Sequence, residues 1–390
     1  MLFDLLILGL LLLILVVLVV AHEFGHFIVA RRNGVDVEEF GIFFPPKLWS
    51  HKTKDGWLFT INAIPLGGFV KLKGEYDSST KPHGYGVSST WTKTKILTAG
   101  VAMNFLAAFI VLTILAWIGM PQLVNKQFTI KSDTHIVNNE VLVGYIEVDS
   151  PAQRAGLTIN DRLLAILPSH GKEVTITNAS TLPSVTRQFA GQTVGLEFSH
   201  DKNIKIEQVK FRDKSVVVAS QKTNNPKGYL GIVAAQYNLQ RSSWSAPIVA
   251  AGLIVQFTAL TFQGLGSALH GVGSIGAAFA THNHAEREAG QAQANQLSGP
   301  VGIFKLLKSS TSFGFQYILM IAGLISLSLA VINILPVPPL DGGKLFMTLI
   351  ARCFRKTLSE RAEILANSLG FVFFLAVFVL LTIGDVHKHF

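Results

Sequence analysis

The apolar positions of this chain fall into long unbroken stretches. Leu5 to Ala21, Ile96 to Met120, Gly314 to Leu335 and Ile364 to Gly384 contain no charged residue, and each comes near the ~20 helical residues that cross a bilayer. They predict four spanning helices. A fifth stretch, Pro247 to Leu269, is ambiguous by the same criterion. Between the second and third spans lie about 190 residues of soluble character, enough for one domain with connectors. Within them, Val143 to Ile166 predicts a strand, a helix start at Ser150-Pro151, a helix end at Gly156, a turn and a second strand. Alternating apolar and polar residues predict strands at Thr193 to Ser199 and Ile204 to Phe211, with a short helix from Leu182 to Phe189. Trp57 to Lys73 is a further β candidate, too short to cross as a helix. Non-helical backbone survives at membrane depth only where protein buries it or it lines a cavity, so a hairpin here has to line something.

Composition agrees with this pattern. Of 390 residues 49% are hydrophobic and 15% charged, against roughly 25% charged in a soluble domain. The formal charge of +9 suits basic loops facing anionic lipid, and no basic element interleaved with aromatics suggests nucleic acid. The single cysteine, Cys353, excludes an internal disulfide and a cysteine-rich metal site. The first apolar stretch has no basic leader and no small-residue cleavage site before His22, so it reads as a retained helix.

Inside that helix stands His22-Glu23-Phe24-Gly25-His26. Two histidines four apart share one helix face and can grip zinc, while the adjacent glutamate serves as general base. Ionisable residues cost about 2.5 to 3.5 kcal/mol at the centre of a span on insertion scales, so they mark function there. Arg31 and Arg32 suggest the helix end; on a straight helix His26 lies ~8 Å and His22 ~14 Å before Arg31, below the membrane surface. A catalytic zinc keeps three protein ligands, which leaves one to find. Asp341 is the best candidate. It follows an uncharged run from Ser309 to Leu340, in Asn333-Ile-Leu-Pro-Val-Pro-Pro-Leu-Asp-Gly-Gly343, where prolines and glycines break the helix and can turn a carboxylate inward.

These motifs, with Leu297-Ser-Gly-Pro-Val-Gly-Ile303, Ala99-Gly-Val-Ala-Met-Asn104 and Pro65-Leu-Gly-Gly-Phe-Val70, resemble the site-2 protease family of intramembrane zinc proteases over nearly the whole chain. The Ser-Pro-Ala, Ala-Gly-Leu, Asp-Arg-Leu series from Ser150 resembles a bacterial PDZ domain, covering about Val124 to Gln236. A single such insert is similar to bacterial members that cleave anti-sigma factors or remnant signal peptides in regulated intramembrane proteolysis. The resemblance implies one catalytic Zn2+ held by His22, His26 and Asp341, with Glu23 as catalytic base, and a bacterial plasma membrane. It implies substrate-binding roles for Asn333, Asn104, Gly67 and Gly68. For the PDZ-like domain it favours a barrier against bulky substrates over capture of a substrate terminus. The segment Thr281 to Gln296, with His282 and His284, matches nothing in the family and reads as solvated loop.

The fold class expected is therefore a polytopic α-helical membrane protein with four spanning helices, a membrane-associated β-hairpin and an inserted extracytoplasmic α+β PDZ-like domain. Its segments are 1–32 with the histidine motif, 33–95 as the hairpin region, 96–120, the insert at 124–236, 237–313 as surface helix and linker, 314–343 with Asp341, a loop at 344–363, and 364–384. Ten Lys and Arg in 31–95 and five in 342–363 place those loops in the cytosol, and both metal motifs at cytosolic helix ends. Parity works for four spans, so Pro247 to Leu269 is expected to lie along the outer surface. The partners expected are the lipid bilayer and membrane proteins with single spanning helices. A competing reading is a non-catalytic membrane PDZ scaffold with a structural metal; it leaves Glu23 without a purpose, since structural zinc is closed by four protein ligands.

Overall fold

The computed structural model describes residues 2–124, 126–200, 203–221, 226–281 and 314–389. His282, His284 and Leu297 to Ile303 lie outside them. The chain forms two compact units, one made of Met1–Leu115 with Ala246–Phe390, the other of Ala116–Ser245.

The first unit opens with helix α1 (Leu2–Arg32), whose apolar run ends at Arg31 and Arg32. Gly34, at φ +75°, turns the chain into two long antiparallel strands, β1 (Val37–Lys52) and β2 (Leu58–Leu72), which pack along α1. Only β2 was expected from sequence. The two pair more than once: Phe40 lies opposite Val70 on one side and Phe59 on the other, and the stretch after Pro45-Pro46 returns to pair Trp49 with Ile61 and His51 with Phe59. Four extended segments thus lie side by side, with 67–72 on one edge and 47–52 on the other. Thr90 then starts α2 (Thr90–Ile118).

In the second unit the short β3 (Met120–Pro121) leads to β4 (His135–Ile146). Ser150 caps α3 (Pro151–Arg154), its hydroxyl accepting from the Gln153 N–H with Pro151 in the first turn, and Gly156 at φ +76° ends that turn. Then follow β5 (Arg162–Leu167), β6 (Val174–Thr175), α4 (Leu182–Gln188), β7 (Thr193–His200), β8 (Asn203–Lys210), α5 (Lys214–Ser220) and β9 (Ile232–Arg241). The sheet runs β3-β9-β4-β5-β7-β8, with β6 on β5. Its core is Val141, Val143, Leu163, Ile166, Leu196, Phe198 and Phe211, all fully buried. In β7 the inward Val194, Leu196 and Phe198 follow the period-two pattern, but in β8 the alternating Ile204 and Ile206 are exposed and only Val209 is buried; the unit reaches beyond 124–236 at both ends.

The chain re-enters the first unit with α6 (Ala246–Thr281), and continues through α7 (Phe315–Asn333), α8 (Asp341–Cys353) and α9 (Glu360–His389). Among the described residues, four helices are long and apolar enough to cross a membrane: Leu8–Arg32, Thr90–Ile118, Ala246–Ser267 and Phe315–Asn333. Leu13 and Val17 on α1, Ile110 and Ile114 on α2 and Val255 on α6 point their side chains outward, as lipid-facing residues do. The expected surface helix therefore has the length and composition of a span, and it packs against α7. The sequence at 364–384 is helical within α9.

Candidate metal centre

α1 brings His22, Glu23 and His26 to one level because residues four apart share a face and Glu23 stands one position round from His22. Asp341 reaches them from elsewhere. Pro336, Pro338 and Pro339 stop α7 after Asn333, and the chain restarts at Asp341, the first residue of α8. Gly342 and Gly343 make this restart possible: a Cβ on Gly342 would stand 2.3 Å from the Ile334 carbonyl oxygen, and one on Gly343 2.4 Å from the Val337 carbonyl carbon. The loop folds onto the first turn of α8 only without side chains there, and the carboxylate is set against the histidines.

His22 Nε2 and His26 Nε2 each lie 3.1 Å from Asp341 Oδ2, and 3.2 Å from one another. Ligand atoms ~2.0 to 2.2 Å from a tetrahedral zinc stand about 3.3 to 3.5 Å apart, close to this triangle. Asp341 Oδ2 is buried and accepts no well-aligned hydrogen bond, although two imidazole nitrogens are beside it. Three donor atoms this close together, on a carboxylate and two imidazoles, are a set that a cation fits. The three side chains form the only candidate metal cluster among the described residues.

α2 closes the site from behind. The Ile96 carbonyl accepts a hydrogen bond from His26 Nδ1 at 2.8 Å, and the Asn104 side chain lies 3.1 Å from His22 Nδ1. Helix α2 can come this near only because of glycine: a Cβ on Gly100 would stand 2.4 Å from His26 Nε2 and 2.5 Å from His22 Cε1. Gly25 faces α2 in the same way, 2.6 Å from the Ala99 oxygen. Gly100→Ala is expected to displace both imidazoles and weaken zinc binding at least tenfold by the orienting-shell scale. Gly9→Ala, where a Cβ meets nothing within 4 Å, leaves it unchanged in the same chelator competition.

β2 closes the front. The Val70 N–H points to the Glu23 carboxylate, and a Cβ on Gly68 would lie 3.6 Å from Glu23 Cγ. Gly67 faces the Phe44 ring instead, 2.8 Å from where its Cβ would be. The edge 67–72 thus runs past Glu23 with no strand on its outer side among the described residues. A cavity of about 170 Å3 joins Glu23, His26 and Asp341 to Val70, Lys344 and Tyr85. Of the residues expected to bind substrate, Gly68 is brought to Glu23 and Asn104 to His22. Asn333 closes α7 half-buried and, among the described residues, makes no hydrogen bond to the site. Sequence reading held Gly100 within the segment Ala99 to Asn104 but gave it no role, and it did not find Ile96. A glycine opposite the motif on the next apolar helix was the available signal for the first; a backbone carbonyl leaves none.

Histidines and a carboxylate turned to one point, with a glutamate alongside, inside helices that suit a bilayer, define the chain's class as a membrane metallopeptidase. Comparison agrees over almost all its length. The profile of peptidase family M50 matches residues 10–377. A protein of Clostridium acetobutylicum named as a zinc metalloprotease is 27% identical over 95% of this chain and 94% of its own. One of Vibrio cholerae with a like name is 28% identical over 91% and 92%, and a protein of Enterococcus faecalis named as a protease is 24% identical over 96% and 97%. The chain belongs to peptidase family M50, the site-2 protease family, and is a metalloprotease.

Proposed function

We propose that this chain hydrolyses peptide bonds within or near the membrane-spanning segments of other membrane proteins, using one zinc ion held by His22, His26 and Asp341. The observation that carries this reading is the convergence of the three donor atoms beside Glu23, inside a unit of helices apolar enough to cross a bilayer. Zinc, when bound there, acts as a Lewis acid and makes water acidic enough to lose a proton near neutral pH. Glu23, adjacent to His22, takes that proton as water attacks the scissile carbonyl and hands it to the leaving nitrogen. No acyl-enzyme is needed.

A substrate helix hides its carbonyls in its own hydrogen bonds, so it has to unwind locally, most easily at Gly or Pro. The free edge 67–72 supports a strand-addition mode, in which the unwound segment pairs with β2 and is laid across Glu23. Gly67 and Gly68 keep that edge flat, and the reading gives them this role. The substrate class is membrane proteins with single spanning helices, including anti-sigma factors and remnant signal peptides by family resemblance. The basic stretches 31–95 and 342–363 support an active site towards the cytosol, with the PDZ-like unit outside a bacterial plasma membrane as a size filter.

The test is metal removal. Purified protein in detergent is expected to carry one zinc per chain and to cut a single-span substrate; stripping with a chelator abolishes cleavage, and one equivalent of zinc restores it. Cleavage that persists in metal-free protein, or zinc-loaded protein that cuts none of several single-span substrates, overturns the reading.

A further inference from the structure

We propose that Asn104 is a positioning residue that fixes the tautomer of His22: its side-chain carbonyl accepts the proton on His22 Nδ1, so that Nε2 offers a lone pair to the metal. The inference rests on the zinc-site reading above and assigns Asn104 a task other than holding substrate backbone.

A neutral imidazole that uses Nε2 as a ligand carries its proton on Nδ1, and a buried Nδ1–H needs an acceptor. His26 has one, the Ile96 carbonyl at 2.8 Å. The polar group facing His22 Nδ1 is the Asn104 carboxamide, 3.1 Å away. That carboxamide is 0% exposed, out of reach of bulk water. Its oxygen is buried without a hydrogen-bond partner when the amide nitrogen faces the histidine. In that arrangement an N–H donor would meet the Nδ1–H donor that the metal-binding tautomer requires. The two ends of a carboxamide are nearly equal in shape, and a half-turn about its last torsion exchanges them. The turn gives His22 its acceptor, and it breaks no hydrogen bond at the far end, where the oxygen as placed has no partner. The Asn104 main chain is pinned as well, its carbonyl accepting from Ser326 Oγ on α7 at 2.8 Å. α1, α2 and α7 are thereby tied at the level of the metal.

The experiment measures zinc affinity by chelator competition for the full-length protein in detergent, together with thermal unfolding of the metal-free forms and kcat and KM. Asn104→Leu keeps the volume and removes the acceptor; Asn104→Asp keeps an oxygen acceptor at both ends. The expected result is a 10- to 100-fold loss of zinc affinity in Asn104→Leu and affinity equal to or above the wild type in Asn104→Asp. Equal affinity in all three proteins, with KM raised in Asn104→Leu, overturns the proposal in favour of substrate contact. A tenfold loss in Asn104→Asp overturns it too, because the amide nitrogen is then the working group. If Asn104→Leu does not fold, the aspartate variant decides alone on the same two outcomes. A wild type that binds no zinc sinks the zinc-site reading itself, an outcome separate from either.

Discussion

Glu23→Gln is expected to bind zinc as the wild type does and to lose activity by at least 10²- to 10⁴-fold, the range for removal of a general base. The variant keeps the size and hydrogen-bonding reach of the side chain, with an oxygen acceptor still in place. His22, His26 and Asp341, whose donor atoms approach to 3.1 Å, are left in place by the substitution. What disappears is a carboxylate able to take a proton inside the cavity of about 170 Å3 it shares with His26 and Asp341. The measurement is turnover of a single-span substrate beside zinc content of the same preparation. Activity within tenfold of the wild type, with zinc bound, would remove Glu23 from the mechanism. Loss of zinc together with activity would make Glu23 a structural partner of the metal site. A scaffold with a structural metal predicts no effect of the substitution on any function.

The parts of the candidate metal centre were legible because they carry strong local signals. Two histidines at helical spacing in an apolar run, and a carboxylate behind a proline cluster, have few innocent explanations at membrane depth. β7 of the second unit was legible for a similar reason: one face is packed into the core, where Val194, Leu196 and Phe198 recur at every second position. β1 was not. Val37 to Lys52 mixes Glu38, Glu39, two prolines and a basic end, and its pairing on both sides of the first half of β2 is a tertiary arrangement with no period of its own. α6 shows a different limit. Its composition suits either a surface or a crossing, and length alone separates it from neither. The approach of α2 to the histidines was hidden too, since Gly100 looks like any small residue in an apolar helix until its missing Cβ is seen to be the space the imidazoles fill.

Asp77→Ala is expected to destabilise the first unit by about 3 to 5 kcal/mol, the cost of removing one partner of a buried ion pair and leaving the other charge uncompensated. Lys93 is 0% exposed, and its ammonium donates to Asp77 Oδ1 and to the Gly86 carbonyl. Asp77 also accepts from Arg352 Nη2 at 2.9 Å and from the Leu358 N–H at 2.9 Å, while its own N–H donates to Glu363 Oε1 at 2.8 Å. Its side chain therefore joins the loop before α2 to the last turn of α8 and the loop before α9, and its main chain holds the first turn of α9. Lys93→Met alone should also be costly, and the double variant should cost less than the two single effects combined, because no buried charge is left without its counter-charge. Unfolding midpoints for the four proteins test this; strict additivity would show that the pair is uncoupled. The consequence reaches the metal. The loop that Asp77 anchors leads directly into Ile96 and Gly100, which set His26, and α8 begins with Asp341. Loosening the network frees the two halves of the site from one another, so zinc affinity should fall in Asp77→Ala although no ligand has changed. A variant that loses stability but binds zinc as tightly as the wild type would show that α1, α2 and the loop before α8 hold the centre without help from this network.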